Sequence, residues 1–201
     1  MTKTRLEAKQ ITRRNLIEAS LKLSEEDGFA TLSLRQVAKE AGITPAAFYR
    51  HFKDMDELGL VLVDEVGVRL RQLMRDARKG FDKKKSAVRN SVLTYIDYIV
   101  ENPQHFRLLM GGNQAGTSAY QKALRNEIDR FIAELTDDLE TTSRKMKLPI
   151  FHAAFASEAI VAVVFTVGAE ALDLPKHRRQ ALEDRLVVEV NMILNGARIK
   201  G

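Results

Sequence analysis

The residues of this chain that could do chemistry are gathered in one stretch, Leu34 to Lys53, and they suit recognition of a polyanion rather than bond-making. Leu34, Val37, Ala38 and Ala41 recur at i, i+3, i+4 and i+7, which predicts a helix with one buried face. Ser33 and Gln36 occupy the N-cap and N3 positions of a capping box. Gly42 follows, a residue that takes left-handed backbone at no steric cost. Thr44 is the expected cap of a second helix, with Pro45 at its first position, where a missing N–H costs nothing. That helix is expected over about residues 45–52, with Phe48 and Phe52 on its buried side. Its other faces carry Thr44, Pro45, Ala46, Ala47, Tyr49, Arg50 and His51. Two short helices joined by a tight turn, after a longer first helix, make a helix-turn-helix. The second helix of such a unit can enter a major groove about 12 Å wide. Ala46 and Ala47 would let its backbone approach base edges and touch thymine methyls. Arg50 suits a guanine or a phosphate, and Tyr49, His51 and Lys53 suit phosphate oxygens. Ser33 and Arg35, at the start of the preceding helix, complete the candidate DNA contacts. The same spacing also fits an ordinary helical hairpin packed in a core.

Charge leans the same way. Residues 1–53 hold ten Lys or Arg against six Asp or Glu, so +4 of the chain's formal +5 falls where phosphates would be met. The absence of cysteine among 201 residues removes thiol nucleophiles, CxxC redox pairs and cysteine-ligated metal sites, and fits a reducing compartment. No apolar signal-type segment follows the basic start Met1 to Gln10. The most apolar run, Ile150 to Leu172, contains Glu158, and a charge at a bilayer centre costs about 2.5–3.5 kcal/mol on insertion scales. That run is therefore expected to be a buried helix, and the protein to be cytoplasmic, with no membrane partner.

The positioning elements are helical throughout, and the expected fold class is all-α. Leu16, Ala19, Ser20 and Leu23 give the first helix, about 6–27, its buried stripe, with Gly28 past its end. Asp54 and Glu57 open a fourth helix that runs to about Lys79. Further helices are expected over about 86–101, 103–110, 117–145, 150–172 and 176–197. Residues 1–53 would then form a small N-terminal unit, and residues 54–201 a larger helical one. In the last helix Leu182, Leu186, Val190 and Ile193 share a face, with Glu183, Asp184, Arg185 and Glu189 expected outside it. The preceding helix is apolar on nearly all sides, which suggests that one of its faces meets a second copy of the chain.

Catalytic readings fail on particular positions. Gly111 to Ser118 has the spacing of a phosphate-binding loop, but Thr117 stands where lysine is required. Gly116-Thr117-Ser118-Ala119-Tyr120 begins like a nucleophile elbow and ends in the wrong residue. His51, His105, His152 and His177 show no metal-ligand spacing. No metal, cofactor or catalytic residue is expected.

The run Leu32-Ser33-Leu34-Arg35-Gln36-Val37-Ala38-Lys39-Glu40-Ala41-Gly42-Ile43-Thr44, followed by Phe48-Tyr49-Arg50-His51-Phe52, resembles the TetR family of bacterial repressors over about residues 10–60. Arg50 to Leu60, Val63-Asp64-Glu65, Phe106-Arg107-Leu108-Leu109 and Gly116-Thr117-Ser118 resemble the branch of that family, FabR-like and DesT-like, that represses genes of unsaturated fatty acid synthesis. One departure from that branch is the uncharged stretch Gly111-Gly112-Asn113-Gln114-Ala115, which bears on ligand preference. The resemblance implies a three-helix DNA-binding domain over residues 1–53, a ligand-binding and dimerisation domain over residues 54–201, a homodimer through the last two helices and a palindromic operator. It also implies an effector that is a long-chain acyl thioester of coenzyme A or acyl carrier protein; the alternatives are a regulator of this family with a different hydrophobic small-molecule effector, or a non-catalytic acyl-binding protein or acyl-CoA enzyme. Phe106, Leu109, Met110, Phe155, Val163 and Phe165 are the candidate residues for its pocket, although long Met and flat Phe side chains suit a plain core as well.

Overall fold

The computed structural model describes residues 4–79, 86–110 and 118–200. Among them lie nine α-helices and no strand: α1 (Arg5–Asp27), α2 (Leu34–Glu40), α3 (Pro45–Phe48), α4 (Met55–Lys79), α5 (Ala87–Glu101), α6 (Pro103–Met110), α7 (Ser118–Met146), α8 (Ala153–Gly168) and α9 (Lys176–Gly196). Single 3₁₀ turns follow α1 at Phe29–Thr31 and α8 at Ala169–Leu172. The basic run Lys83 to Lys85, the stretch Gly111 to Ala115 and most of the loop read above against phosphate and nucleophile motifs lie outside the described residues.

Seven helix spans agree with the sequence pattern to within a residue or two. The third helix is shorter than expected and closes at Phe48. Beyond it the chain tightens, with Arg50 N–H donating to the Ala47 carbonyl (3.1 Å) and His51 N–H to Phe48 (2.8 Å). Those i to i−3 bonds are 3₁₀ geometry, a common finish to a helix end. The eighth helix begins at Ala153 rather than Ile150. Its approach is held by the end of α9, where the Ala197 carbonyl accepts from the N–H groups of Phe151 (2.9 Å) and His152 (3.3 Å).

The chain divides into two compact units, Met1–Val68 with Asn102–Arg125, and Arg69–Glu101 with Asn126–Gly201. This is a division by packing; the division of roles at residues 53 and 54 expected above is one of function. In the first unit α1 packs on α2 and α6. Its core contains Leu16, Phe29, Val37, Phe48, Phe52, Leu58 and Leu62. Ser20 sits on the apolar stripe of α1 without penalty, because its hydroxyl donates to the Leu16 carbonyl at 2.7 Å. In the second unit α5 and α8 pack on α9. A ladder of ions joins the α4 and α7 segments of this unit: Arg71 pairs with Glu127 and Glu134, Arg75 with Glu134 (2.6 Å) and Arg78 with Asp138 (2.6 Å).

Two expectations for α8 and α9 are corrected. The α9 stripe Leu182, Leu186 and Val190 does share a buried face, and the burial is within the chain itself. Glu183, expected outside, is 9% exposed, and burial together with Asp97 and Asp184 raises its pKa. The helix expected to be buried all round is open on one side, where Phe155, Glu158, Ala162 and Thr166 are exposed. The helical run Ala153–Leu172 is long and apolar enough by length and composition to cross a membrane, and 39% of its most apolar window is buried within this chain.

Gly59 in α4 shows where packing overrides propensity. A Cβ there would lie 2.5 Å from Phe29 Cε1 and 3.1 Å from Tyr120 Cδ2, in rings that stack with centroids 5.7 Å apart. Alanine in place of a helical glycine ordinarily stabilises by about 1 kcal/mol. Here overpacking at about 1–3 kcal/mol outweighs that gain. Gly59→Ala is therefore expected to lower the midpoint of urea unfolding; a raised midpoint would mean that the two rings yield freely.

Candidate nucleic-acid interface

The interface begins with the turn between α2 and α3. Ser33 caps α2: its hydroxyl accepts from Gln36 N–H (3.3 Å), and the Gln36 side chain accepts from Ser33 N–H (2.9 Å). The helix ends in a Schellman motif, with Gly42 N–H donating to Lys39 and Ile43 N–H to Ala38 (2.9 Å). Gly42 has φ +71°, a conformation that a side chain at this position would strain. Thr44 then restarts the chain, its hydroxyl accepting from Ala47 N–H at 3.2 Å, with Pro45 in the first turn. The expected box at α4 is displaced by one donor. Asp54 accepts from Glu57 N–H (2.8 Å), while the Glu57 carboxylate takes the Lys53 N–H (2.6 Å).

These caps aim one turn of helix outward. Phe48 and Phe52 are 0% and 1% exposed, while Thr44, Pro45, Ala46, Tyr49, Arg50 and Lys53 are exposed. Ala47 and His51 are half-buried. Tyr49 leaves 63% of a large aromatic surface open, with its ring edge-on to Phe48 at 5.9 Å. Arg35 is exposed in the first turn of α2, whereas the Ser33 hydroxyl is engaged by its cap. All ten candidate DNA contacts thus lie on the segment from Ser33 to Lys53.

The structure adds two residues of α1 that the pattern of α2 and α3 did not reveal. Arg13 lays its guanidinium over the Phe52 ring at 4.7 Å. Lys9, one turn earlier, acts on His51 together with Arg13 and Arg50. Burial first, then these three cations, lower the His51 pKa from 6.5. Its Nδ1 is enclosed with no hydrogen-bond partner among the described residues. A histidine among cations is disposed to accept a phosphate, which relieves the repulsion. The signal for Lys9 and Arg13 was their spacing of four on α1, in line on one face.

The effector candidates do not form one group. Phe106 and Leu109 are buried and Met110 half-buried in the first unit. In the second unit Phe165 is buried and Val163 half-buried. Phe155 departs from the expectation of an enclosed pocket residue, being 72% exposed. Ten residues separate it from Phe165, so at about 100° per residue the two point from different sides of α8. Phe155 instead lines an open groove of about 400 Å³ with His152, Ala156, Ile193, Gly196 and Ala197. No group of three or more His, Asp or Glu that could hold a metal occurs among the described residues.

Comparison with known proteins agrees with this geometry. Residues 16–60 match the bacterial regulatory proteins of the tetR family, and residues 85–193 match the tetracyclin repressor-like C-terminal domain. Among solved structures, the fatty acid degradation regulator FadR from Bacillus halodurans superposes with a TM-score of 0.72 at 14% identity, covering 100% of both chains. A TetR-family regulator from Streptomyces coelicolor gives 0.73 at 16% identity, over 94% of this chain and 97% of that one. Reduced NemR of E. coli gives 0.71 at 18% identity, over 91% and 97%. At such identities the likeness is one of fold, but the two family matches span the DNA-binding and C-terminal segments, and the chain belongs to the TetR family of bacterial transcriptional regulators.

Proposed function

We propose that the chain is a homodimeric repressor that binds a palindromic operator and controls genes of unsaturated fatty acid synthesis in response to a long-chain acyl thioester of coenzyme A or acyl carrier protein. The observation that carries the DNA-binding part is the single outward turn Thr44 to Arg50, fixed by two buried rings and two caps. Thr44, Ala46 and Arg50 lie nearest the bases in this reading. Tyr49, His51 and Lys53, with Lys9 and Arg13 from α1, position the helix on phosphates. The acyl part is supported by the resemblance of Phe106 to Leu109 and Val63 to Glu65 to the unsaturated fatty acid repressors. A regulator of fatty acid degradation with the same fold over the full chain is consistent with it.

The second copy has a face to meet. Phe155 on α8, Val188 and Met192 on α9 and Ile199 just past its end are between 57% and 72% exposed, and the groove at Phe155 is lined by Ile193 and Gly196 of α9. An apolar stripe of this kind on two adjacent helices suits a four-helix bundle across a two-fold axis. Such a dimer would present two recognition helices one turn of DNA apart, about 34–36 Å. An effector shifts that spacing only if it fits one helix arrangement better than another. A cis double bond bends the chain, so saturated and unsaturated acyl groups differ in shape and hence in fit.

The test of the reading is a gel-shift on the protein's own promoter with palmitoyl-CoA, oleoyl-CoA or no ligand. A difference of about 5- to 150-fold in operator affinity between ligands is expected. Equal affinity under all three conditions would reject acyl sensing and leave the family assignment standing. For the dimer, Met192→Asp places a charge in the apolar stripe. It is expected to sediment as a folded monomer with weakened palindrome binding; an intact dimer would move the interface elsewhere.

His51 predicts the pH dependence. In the free protein its pKa is lowered below 6.5, so the ring is neutral at pH 7. A phosphate beside it raises that pKa, so the complex holds more protons than its parts and affinity rises as pH falls. The slope is at most about one decade per pH unit and levels off below the free-state pKa. His51→Gln is expected to flatten the profile between pH 7.5 and about 6 in binding titrations; an unchanged slope would place the proton on another group.

A further inference from the structure

Tyr95 carries a polar group that the interior leaves unanswered. It lies on the buried face of α5 and is 2% exposed. Its ring meets Phe165 edge-on at 5.6 Å, and Phe165 in turn meets Phe131 edge-on at 5.5 Å. Gly168, one turn beyond Phe165, makes room for the ring: a Cβ there would fall 2.5 Å from Tyr95 Cε1. The hydroxyl at the end of this ring is enclosed and has no hydrogen-bond partner among the described residues. Phenylalanine would keep every ring contact and avoid burying an unmet hydroxyl, so packing alone does not account for tyrosine.

The surrounding charges narrow what the hydroxyl could meet. The nearest cation along this aromatic chain is Arg71, with its guanidinium 5.9 Å from the Phe131 ring centre. It is already matched by the buried Glu127 and by Glu134, and Glu127 also receives Arg130 at 3.1 Å. A carboxylate brought to Tyr95 would therefore find Arg71 already committed and would be desolvated at high cost. Burial keeps the phenol protonated, its pKa well above 10, so it is a neutral donor. A neutral acceptor oxygen on an apolar body is the group that fits.

We propose that the Tyr95 hydroxyl is the polar anchor of the effector site, donating to a neutral carbonyl oxygen on an otherwise apolar molecule that settles against Phe131, Phe165 and Gly168. This rests on the reading that the chain takes an apolar effector, and adds which residue reads its one polar atom. Thioesters and ketones share that chemistry. Because Tyr95 is enclosed here, a ligand reaches it only where α5 and α8 have parted. The ligand then favours one arrangement over another, as regulation requires.

The test compares ligands that differ only in the carbonyl: palmitoyl-CoA against the thioether S-hexadecyl-CoA, and 2-nonanone against its alkene isostere 2-methyl-1-nonene. Affinities are read by calorimetry for the first pair and by the shift in melting temperature for the second, in the wild type and in Tyr95→Phe. Urea unfolding of the two proteins runs alongside. The wild type is expected to prefer the carbonyl ligand about tenfold, and Tyr95→Phe to abolish that preference by weakening the carbonyl ligand alone. Tyr95→Phe is also expected to be at least as stable as the wild type. If the ketone pair follows this pattern and neither coenzyme A ligand binds, the anchor stands and the acyl-thioester reading fails. A Tyr95→Phe protein that is less stable or does not fold, or a wild type without the preference in either pair, or a preference that survives the substitution, would overturn the proposal.

Discussion

A single turn of helix has no stable shape of its own in water, because nucleation fixes several dihedral angles for one hydrogen bond. The outward face of α3 therefore depends on the burial of Phe48 and Phe52. Each ring is almost wholly removed from water, and full burial of such a side chain contributes about 1.5–3 kcal/mol. The two rings lie 5.8 Å apart, so they act as one wedge rather than as separate anchors. The caps then set direction: Gly42 turns the chain, Thr44 and Pro45 start the helix, and Asp54 with Glu57 begins the next one. Rigid placement matters because base readout depends on short, directional hydrogen bonds. Arg13 stacked on Phe52 links this wedge to the positive charge on α1.

Charge is handled differently in the two units. Among the described residues Arg35, Arg50 and Lys53 take part in no salt bridge. In the second unit Arg71, Arg75 and Arg78 are each matched by a carboxylate of α7. Exposed, unmatched cations are what counterion release from DNA requires. Matched ones contribute little field to a distant polyanion, and removing Arg71 would strand the buried Glu127 at a cost of about 3–5 kcal/mol. The net charge of the chain thus understates how unevenly its usable positive charge is distributed.

The features legible in the sequence are those decided locally. The Ser33–Gln36 box, the left-handed Gly42 and the Thr44-Pro45 start are chemistry among residues a few positions apart, and each is present as read. What the sequence left open was decided by tertiary packing. Periodicity told that Leu182, Leu186 and Val190 share a buried face, but not that the burial is within this chain. The near-uniform apolarity of α8 concealed that one of its sides is left open. Glu183 looked solvated because carboxylates usually are, and Phe155 looked enclosed because phenylalanines usually are. Two of the three cations around His51, Lys9 and Arg13, come from a helix about 40 residues away in sequence, so their spacing on α1 could be read but not the residue they act on.

What remains is a small set of imbalances that the fold does not correct by itself. Tyr49 leaves an aromatic face in water, Met192 and its neighbours leave an apolar stripe, and Tyr95 keeps a hydroxyl with no partner among the described residues. An unmet buried hydroxyl costs about 1–3 kcal/mol, and a domain's whole stability is only about 5–15 kcal/mol. A chain with so narrow a margin can carry few such defects, so their positions are informative. Each also differs in the chemistry that would cure it. The exposed tyrosine beside Arg50 and Lys53 calls for a polyanion, the stripe for a second apolar surface, and the hydroxyl for an acceptor small enough to be enclosed. In the proposed reading these are three separate partners: DNA for the outward turn, a second copy for the stripe and an effector for the interior hydroxyl.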